Sequence, residues 1–92
     1  MQHKRSKKEI EYCKYLSKAI KKLRKEKGVS GNCLALDSWL ASSTFCRIEN
    51  NQNSPQLITI AQIAFGLGMP LSKLIIEVEK LLPEDFNLLD ET

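Results

Sequence analysis

The chain has 92 residues, 42% of them hydrophobic and 27% charged, with a net charge of +3 and only four glycines and three prolines, a composition that supports one modest core and a globular, mostly helical domain rather than a disordered chain. No apolar run approaches the ~18 residues of a membrane helix and the first residues are charged rather than signal-like, so neither a membrane span nor a targeting segment is expected. Cys13, Cys33 and Cys46 form an odd set without C-x-x-C spacing, and His3 is the only histidine; a disulfide framework, a metal site, a bound cofactor and an enzyme active site are all disfavoured, and a reducing cytoplasm fits best.

Charge is unevenly spread. Residues 1–27 hold eleven Lys/Arg against Glu9, Glu11 and Glu26, a balance of +8, whereas the remainder holds three Lys/Arg against eight acids, a balance of −5. A basic front end suits a phosphate-binding protein, and it equally suits a solvated lysine-rich helix. Residues 1–8 read as a basic arm that ends in a cap. Ser6-Lys7-Lys8-Glu9 has the S-x-x-E form of a capping box, and Ile10, Cys13, Leu16, Ile20 and Leu23 recur at steps of three and four, predicting a long first helix that Gly28 stops. Ser30 caps a short second helix over 31–38 that buries Leu34 and Ala35. Trp39-Leu40 is the break. A third helix over 41–50 turns Phe45 and Ile48 inward and leaves Ser42, Ser43, Cys46 and Arg47 outside. "NNQNSP" at 50–55 is a loop by composition.

Ser54-Pro55 reads as a cap followed by a proline in the first turn of a fourth helix. That helix runs to Leu67, with Leu57, Ile60, Ala61, Ala64 and Leu67 inward, and Gly68 stops it. Pro70 opens a fifth helix through Leu71, Leu74, Ile75, Val78, Leu81 and Leu82, and Pro83 ends it. Residues 83–92 form an acidic tail carrying Phe86, Leu88 and Leu89. The prediction is an all-α, compact five-helix domain over 9–82, with an extended first helix and without internal repeats.

Short second and third helices joined by a tight turn make a helix-turn-helix. With "LRKEKGVS" at 23–30, "LA" at 34–35, "RIEN" at 47–50, Pro55 and "IAFGLGMPLSKLI" at 63–75, the chain resembles the phage-repressor-like (Cro/cI or XRE-type, lambda-repressor-like) helix-turn-helix domains over about residues 16–75. The resemblance implies a DNA-binding transcription regulator whose third helix enters the major groove. Its base-contacting positions are then Ser42, Ser43 and Arg47, with Thr44 and Cys46 at the margin. Ser30, Gly31, Asn32, Asn50 and Asn51 fall near phosphates. Arg24 and Glu49 match an internal ion pair that ties the first helix to the end of the third.

Three positions depart from the family pattern. Trp39 stands where glycine is common because the turn needs positive φ; the expectation is a reshaped turn with Trp39 packed over Leu36 or Leu40. Gly31 replaces a frequent glutamine. Ala41 replaces a capping Ser/Thr, so the third helix is expected to start one residue later, on a Ser42 cap. The reading surface is lean: Arg47 alone can contact guanine bidentately, and the alternative for it is a surface ion pair with Asp37 or a neighbouring acid. Cys46 reads as a small neutral filler.

Ile58, Phe65 and Met69 on the fourth helix, with Val78, Leu81 and Leu82 on the fifth, exceed what a core needs and suggest a partner surface. A homodimer is the economical use; the alternative is that Phe86, Leu88 and Leu89 fold back to cover it. Two functions follow: a homodimeric, sequence-specific regulator of double-stranded DNA (a repressor among other possibilities) without cofactor or small-molecule ligand, or a protein-interaction module that keeps the scaffold without base reading.

Overall fold

The computed structural model describes residues 4–89, which form five α-helices and no strand: α1 (Lys7–Lys27), α2 (Gly31–Asp37), α3 (Ser42–Glu49), α4 (Leu57–Gly66) and α5 (Leu71–Leu81). His3 and the last three positions of the acidic tail lie outside the described residues. The Ser6 hydroxyl accepts the Glu9 N–H at 3.1 Å and starts α1, satisfying one of the donors that every helix N-terminus leaves open. Among the described residues no single helix is long and apolar enough to cross a membrane; α4 and α5 meet at 101°.

Helices α1 to α4 end in one way. In each, a residue with left-handed backbone follows the helix, and the next N–H reaches back five residues: Val29 to Arg24 O (3.3 Å), Leu40 to Ala35 O (2.8 Å), Gln52 to Arg47 O (2.8 Å) and Met69 to Ala64 O (3.0 Å). This is the Schellman arrangement, which satisfies carbonyls that would otherwise be orphaned. The left-handed residues are Gly28, Trp39, Asn51 and Gly68, with φ of 79°, 60°, 55° and 80°. Two are glycine and one is asparagine, the residues that adopt this conformation most readily. Trp39 is the odd one, and it corrects the expected reshaping of the turn: the left-handed turn is kept, and the indole is 89% exposed rather than packed over Leu36 or Leu40.

The core draws on every helix: Leu16, Ala19 and Ile20 from α1, Leu34 and Ala35 from α2, Phe45 and Ile48 from α3, Ile63, Ala64 and Leu67 at α4, and Leu74 and Val78 from α5. Ile10, expected at the head of the α1 stripe, is largely exposed. Helix α4 begins later than expected. Gln56, not Ser54, occupies its N-cap position, without a side-chain bond. The Ser54 hydroxyl is already engaged, accepting from Arg5 Nε at 3.0 Å and from Cys13 Sγ at 3.3 Å. Ile60, Ile63, Ala64 and Leu67, at steps of three and four, form the inward stripe, while Leu57 stays outside. At α3 the start is indeed Ser42, yet Ala41 holds the N-cap position without a side-chain bond, so Ser42 is not the cap.

The expected partner surface shrinks. Val78 is fully buried because α5 packs along α1. Met69 and Leu81 are partly buried against the core, and Leu82 is half-buried. Ile58 and Phe65 remain outside, at 65% and 74% exposure. The described part of the tail leaves them open: Phe86 packs against Tyr12 and Tyr15 of α1, with ring centroids 6.1 and 6.4 Å apart, and Lys8 Nζ lies 5.0 Å from its ring centre. Burial there, with Glu79 and Cys13 adding to it, raises the Tyr12 phenol above its ordinary pKa of 10.0, since loss of water disfavours the phenolate.

Candidate nucleic-acid interface

Three contacts set the pose of α3. Arg24 grips Glu49 with two hydrogen bonds, Nε to Oε2 at 2.6 Å and Nη2 to Oε1 at 3.2 Å, and also donates to Val29 O at 3.0 Å. Ser17 Oγ donates to Ile48 O at 2.6 Å in a buried position. Phe45 and Ile48 are buried, which fixes the rotation of α3 about its axis. The forked guanidinium–carboxylate geometry is directional as well as attractive, so the last turn of α3 is held at a defined angle to α1.

With that rotation, Ser42, Ser43, Cys46 and Arg47 face outward and Thr44 lies half-buried at the edge. The Arg47 guanidinium has no ion pair or hydrogen bond among the described residues, so the alternative pairing with Asp37 is not formed. A shallow groove between the start of α2 and α3 brings together Ser30, Gly31, Asn32, Ser42, Cys46 and Asn50. Ser30 Oγ accepts the Cys33 N–H at 3.1 Å, and Asn50 Nδ2 donates to Cys46 Sγ at 3.3 Å. Gly31 carries no steric necessity, because a Cβ there would make ordinary contact with the Phe45 ring. Asn51 behaves differently from its neighbours. Its Oδ1 and backbone O accept Arg5 at 2.7 and 3.0 Å, and its Nδ2 donates to Ile10 O at 3.0 Å, so its amide is used inside the molecule.

The sequence did not single out two features. The first is the lock of Arg5 onto Asn51 and Ser54, which fastens the basic arm to the loop after α3. Its signal is faint: an arginine ahead of a cap and an amide pair after a helix. The second is the company of Trp39. Ile58, Ala61, Gln62 and Phe65, spaced three and four apart on one face of α4, line a shallow cleft with the indole, and Gln62 Nε2 donates to Ser38 O at 3.1 Å, seating the turn on α4.

The chain is 37% identical over 62 residues to the control protein C.MunI of Mycoplasma sp., covering 84% of that protein and 66% of itself. The chain belongs to the Cro/cI (XRE-type) family of helix-turn-helix transcriptional regulators. It is also 31% identical over 74 residues to the HTH-type transcriptional regulator SutR of Escherichia coli (strain K12), an alignment that takes in 80% of this chain but spans only 42% of SutR. The clp gene regulator ClgR of Corynebacterium glutamicum shares the fold, with a TM-score of 0.72 at 20% identity over 80% of this chain and 96% of that one. No protein-family model matches the chain. This family comprises regulators rather than enzymes. Among the described residues no three His, Cys, Asp or Glu side chains gather in a way that could hold a metal ion.

Proposed function

We propose that the chain acts in the cytoplasm as a sequence-specific, homodimeric regulator that binds double-stranded DNA through α3 in the major groove. The observation that carries this reading is the unpaired, exposed Arg47 on a helix whose angle is clamped by Arg24–Glu49. A guanidinium so presented can meet the O6 and N7 of one guanine, a contact worth roughly 1–3 kcal/mol of base discrimination. Ser42 and Ser43 are short enough to let α3 sit deep, and Ser30, Gly31, Asn32 and Asn50 border the groove where a phosphate strand would pass. Paired through the Ile58–Phe65 face, two copies would place their reading helices about 34 Å apart on one side of the duplex. Selection from random duplexes at stated salt tests the reading, and should return a two-fold symmetric site. Arg47→Ala should relax base preference at one position per half-site while leaving non-specific affinity largely in place. Failure of the wild type to enrich any site refutes base reading.

A second reading is favoured by one observation, the exposed Trp39, Ile58 and Phe65 together: a protein-interaction module on the same scaffold. If Ile58→Asp with Phe65→Asp abolishes regulation while Arg47→Ala leaves it intact, the second reading holds.

A further inference from the structure

We infer that the nucleic-acid surface extends beyond the helix-turn-helix onto α1, where Lys14, Lys18 and Lys21 form a second track for the phosphodiester backbone of duplex DNA; this rests on the DNA-binding reading above. The three lysines stand at i, i+4 and i+7, so they share one helical face. They do not merely point to solvent: all three line a groove on the α1 side of the loop after α3, together with Asn50 and Asn51. The acid bordering this groove is Glu49, and Arg24 already neutralises it at 2.6 Å. The groove is therefore cationic, with amide groups at one wall, and its Asn50 also borders the groove beside α2. The two grooves thus meet at the end of α3, and a strand passing Asn50 runs on toward α1.

Two of the three lysine heads rest on an aromatic ring. Lys14 Nζ and Lys18 Nζ lie 5.6 and 5.8 Å from the ring centre of Tyr15, which in turn meets Phe86 edge-on. The tail docking that half-buries Phe86 thus fixes the aromatic face on which the two ammonium groups rest. The opposite wall is fixed too, because Arg5 pins the Asn51 loop. From Lys14 to Lys21 the helix rises about 10 Å, and one DNA strand carries a phosphate about every 3.4 Å of axis, so the row is matched to a run of backbone rather than to one anion. Two other lysines of α1 are placed differently: Lys27 Nζ donates to Gly66 O at 3.0 Å, and Lys8 sits over Phe86.

The test compares two variants of equal net charge on a mixed-sequence duplex titrated with salt. Lys14→Gln with Lys18→Gln removes the part of the row farthest from the Arg24–Glu49 clamp; Lys73→Gln with Lys80→Gln removes two lysines from α5. Each phosphate contact contributes about 0.9 to the slope of log K against log salt, so the first pair should flatten that slope by about 1.8, while the second leaves it unchanged. Melting curves of both variants confirm that the fold persists. Equal slopes for the two variants, whether both unchanged or both flattened, overturn the α1 track and leave the DNA-binding reading standing. A wild type without measurable affinity for the duplex overturns both.

Discussion

Trp39→Gly should make the isolated protein more stable, although it deletes the chain's largest aromatic side chain. Left-handed backbone costs a residue with a Cβ roughly 1–2 kcal/mol, and Trp39 sits at φ 60°. The indole is 89% exposed, so truncating it forfeits little buried area in the monomer. Against the relief stands the extra freedom that glycine has in the unfolded chain, about 0.5–1 kcal/mol. The net expectation is a gain of up to about 1.5 kcal/mol, and at this chain length each 1 kcal/mol moves the melting temperature up by about 4–8 °C. Trp39→Ala separates the two effects, since it removes the indole and keeps the strain, and should be near neutral. Chemical and thermal denaturation at high dilution measure both. If Trp39 also contributes to the Ile58–Phe65 face of a dimer, the advantage of Trp39→Gly should shrink as protein concentration rises, because association stabilises the folded state by mass action. A loss of stability at high dilution would refute the reasoning, because it would mean that the indole packs against something in the monomer.

Two further substitutions probe the frame of the site. Arg24→Ala leaves Glu49 with an 11% exposed side chain and no cation, and should cost about 3 kcal/mol in denaturant unfolding, with Arg24→Lys recovering only part because the fork is lost. The Ser38 hydroxyl is buried without a hydrogen-bond partner and lies against Gly66, where a methyl group would collide with it. Ser38→Ala should therefore raise stability by about 1 kcal/mol. Gly66→Ala should lower it, because overpacking of about 1–3 kcal/mol outweighs the roughly 1 kcal/mol that alanine gains in a helix, and the double variant should recover most of that loss by the same unfolding assay.

Where local chemistry decides the structure, the sequence was legible. The Ser6 and Ser30 caps, the Gly28 and Gly68 stops and the Phe45–Ile48 inward pair follow from backbone donors and helical periodicity alone. Where a distant residue competes for a group, it was not. Ser54 has the form of a cap, yet Arg5 and Cys13 claim its hydroxyl across more than 40 positions of chain, and α4 starts at Leu57 without it. Val78 shows a related limit: periodicity says that an apolar face is covered, not by what. α1 has 21 residues and α5 has 11, so α1 is long enough to flank α5 throughout, and Val78 finds full cover inside the chain while Leu81 and Leu82 find partial cover. At Trp39 the sequence pointed the wrong way: the cost of a Cβ at positive φ argues for a reshaped turn, yet the left-handed turn is kept, and the direction of the indole depends on α4 packing beside it. In the site itself, the outward set on α3 follows from the two buried residues between them; the internal use of the Asn51 amide does not, since it depends on an arginine 46 positions away.

The lean reading surface and the exposed apolar face belong to one argument about specificity. One bidentate arginine discriminates by about 1–3 kcal/mol, roughly fivefold to 150-fold. Specific DNA-binding proteins exceed their own non-specific affinity by at least about 10³-fold. A single copy of α3, with serines flanking Arg47, falls short of that figure, whereas two copies acting on two half-sites reach about 2–6 kcal/mol and pass into it. Lysines cannot close the gap, since phosphate contacts strengthen all sequences alike. On the proposed function a dimer would serve discrimination more than affinity, and the covering of Ile58 and Phe65 is what would supply it. Ile58→Asp with Phe65→Asp places charges on that face without touching the core, so the fold should persist while the ratio of specific to non-specific affinity drops by at least about fivefold and non-specific binding per monomer holds. Sedimentation and competition binding at fixed salt measure the two quantities side by side. A variant that sediments as a monomer yet keeps the full ratio would show that one α3 reads more than Arg47, and the coupling between assembly and base reading would fall.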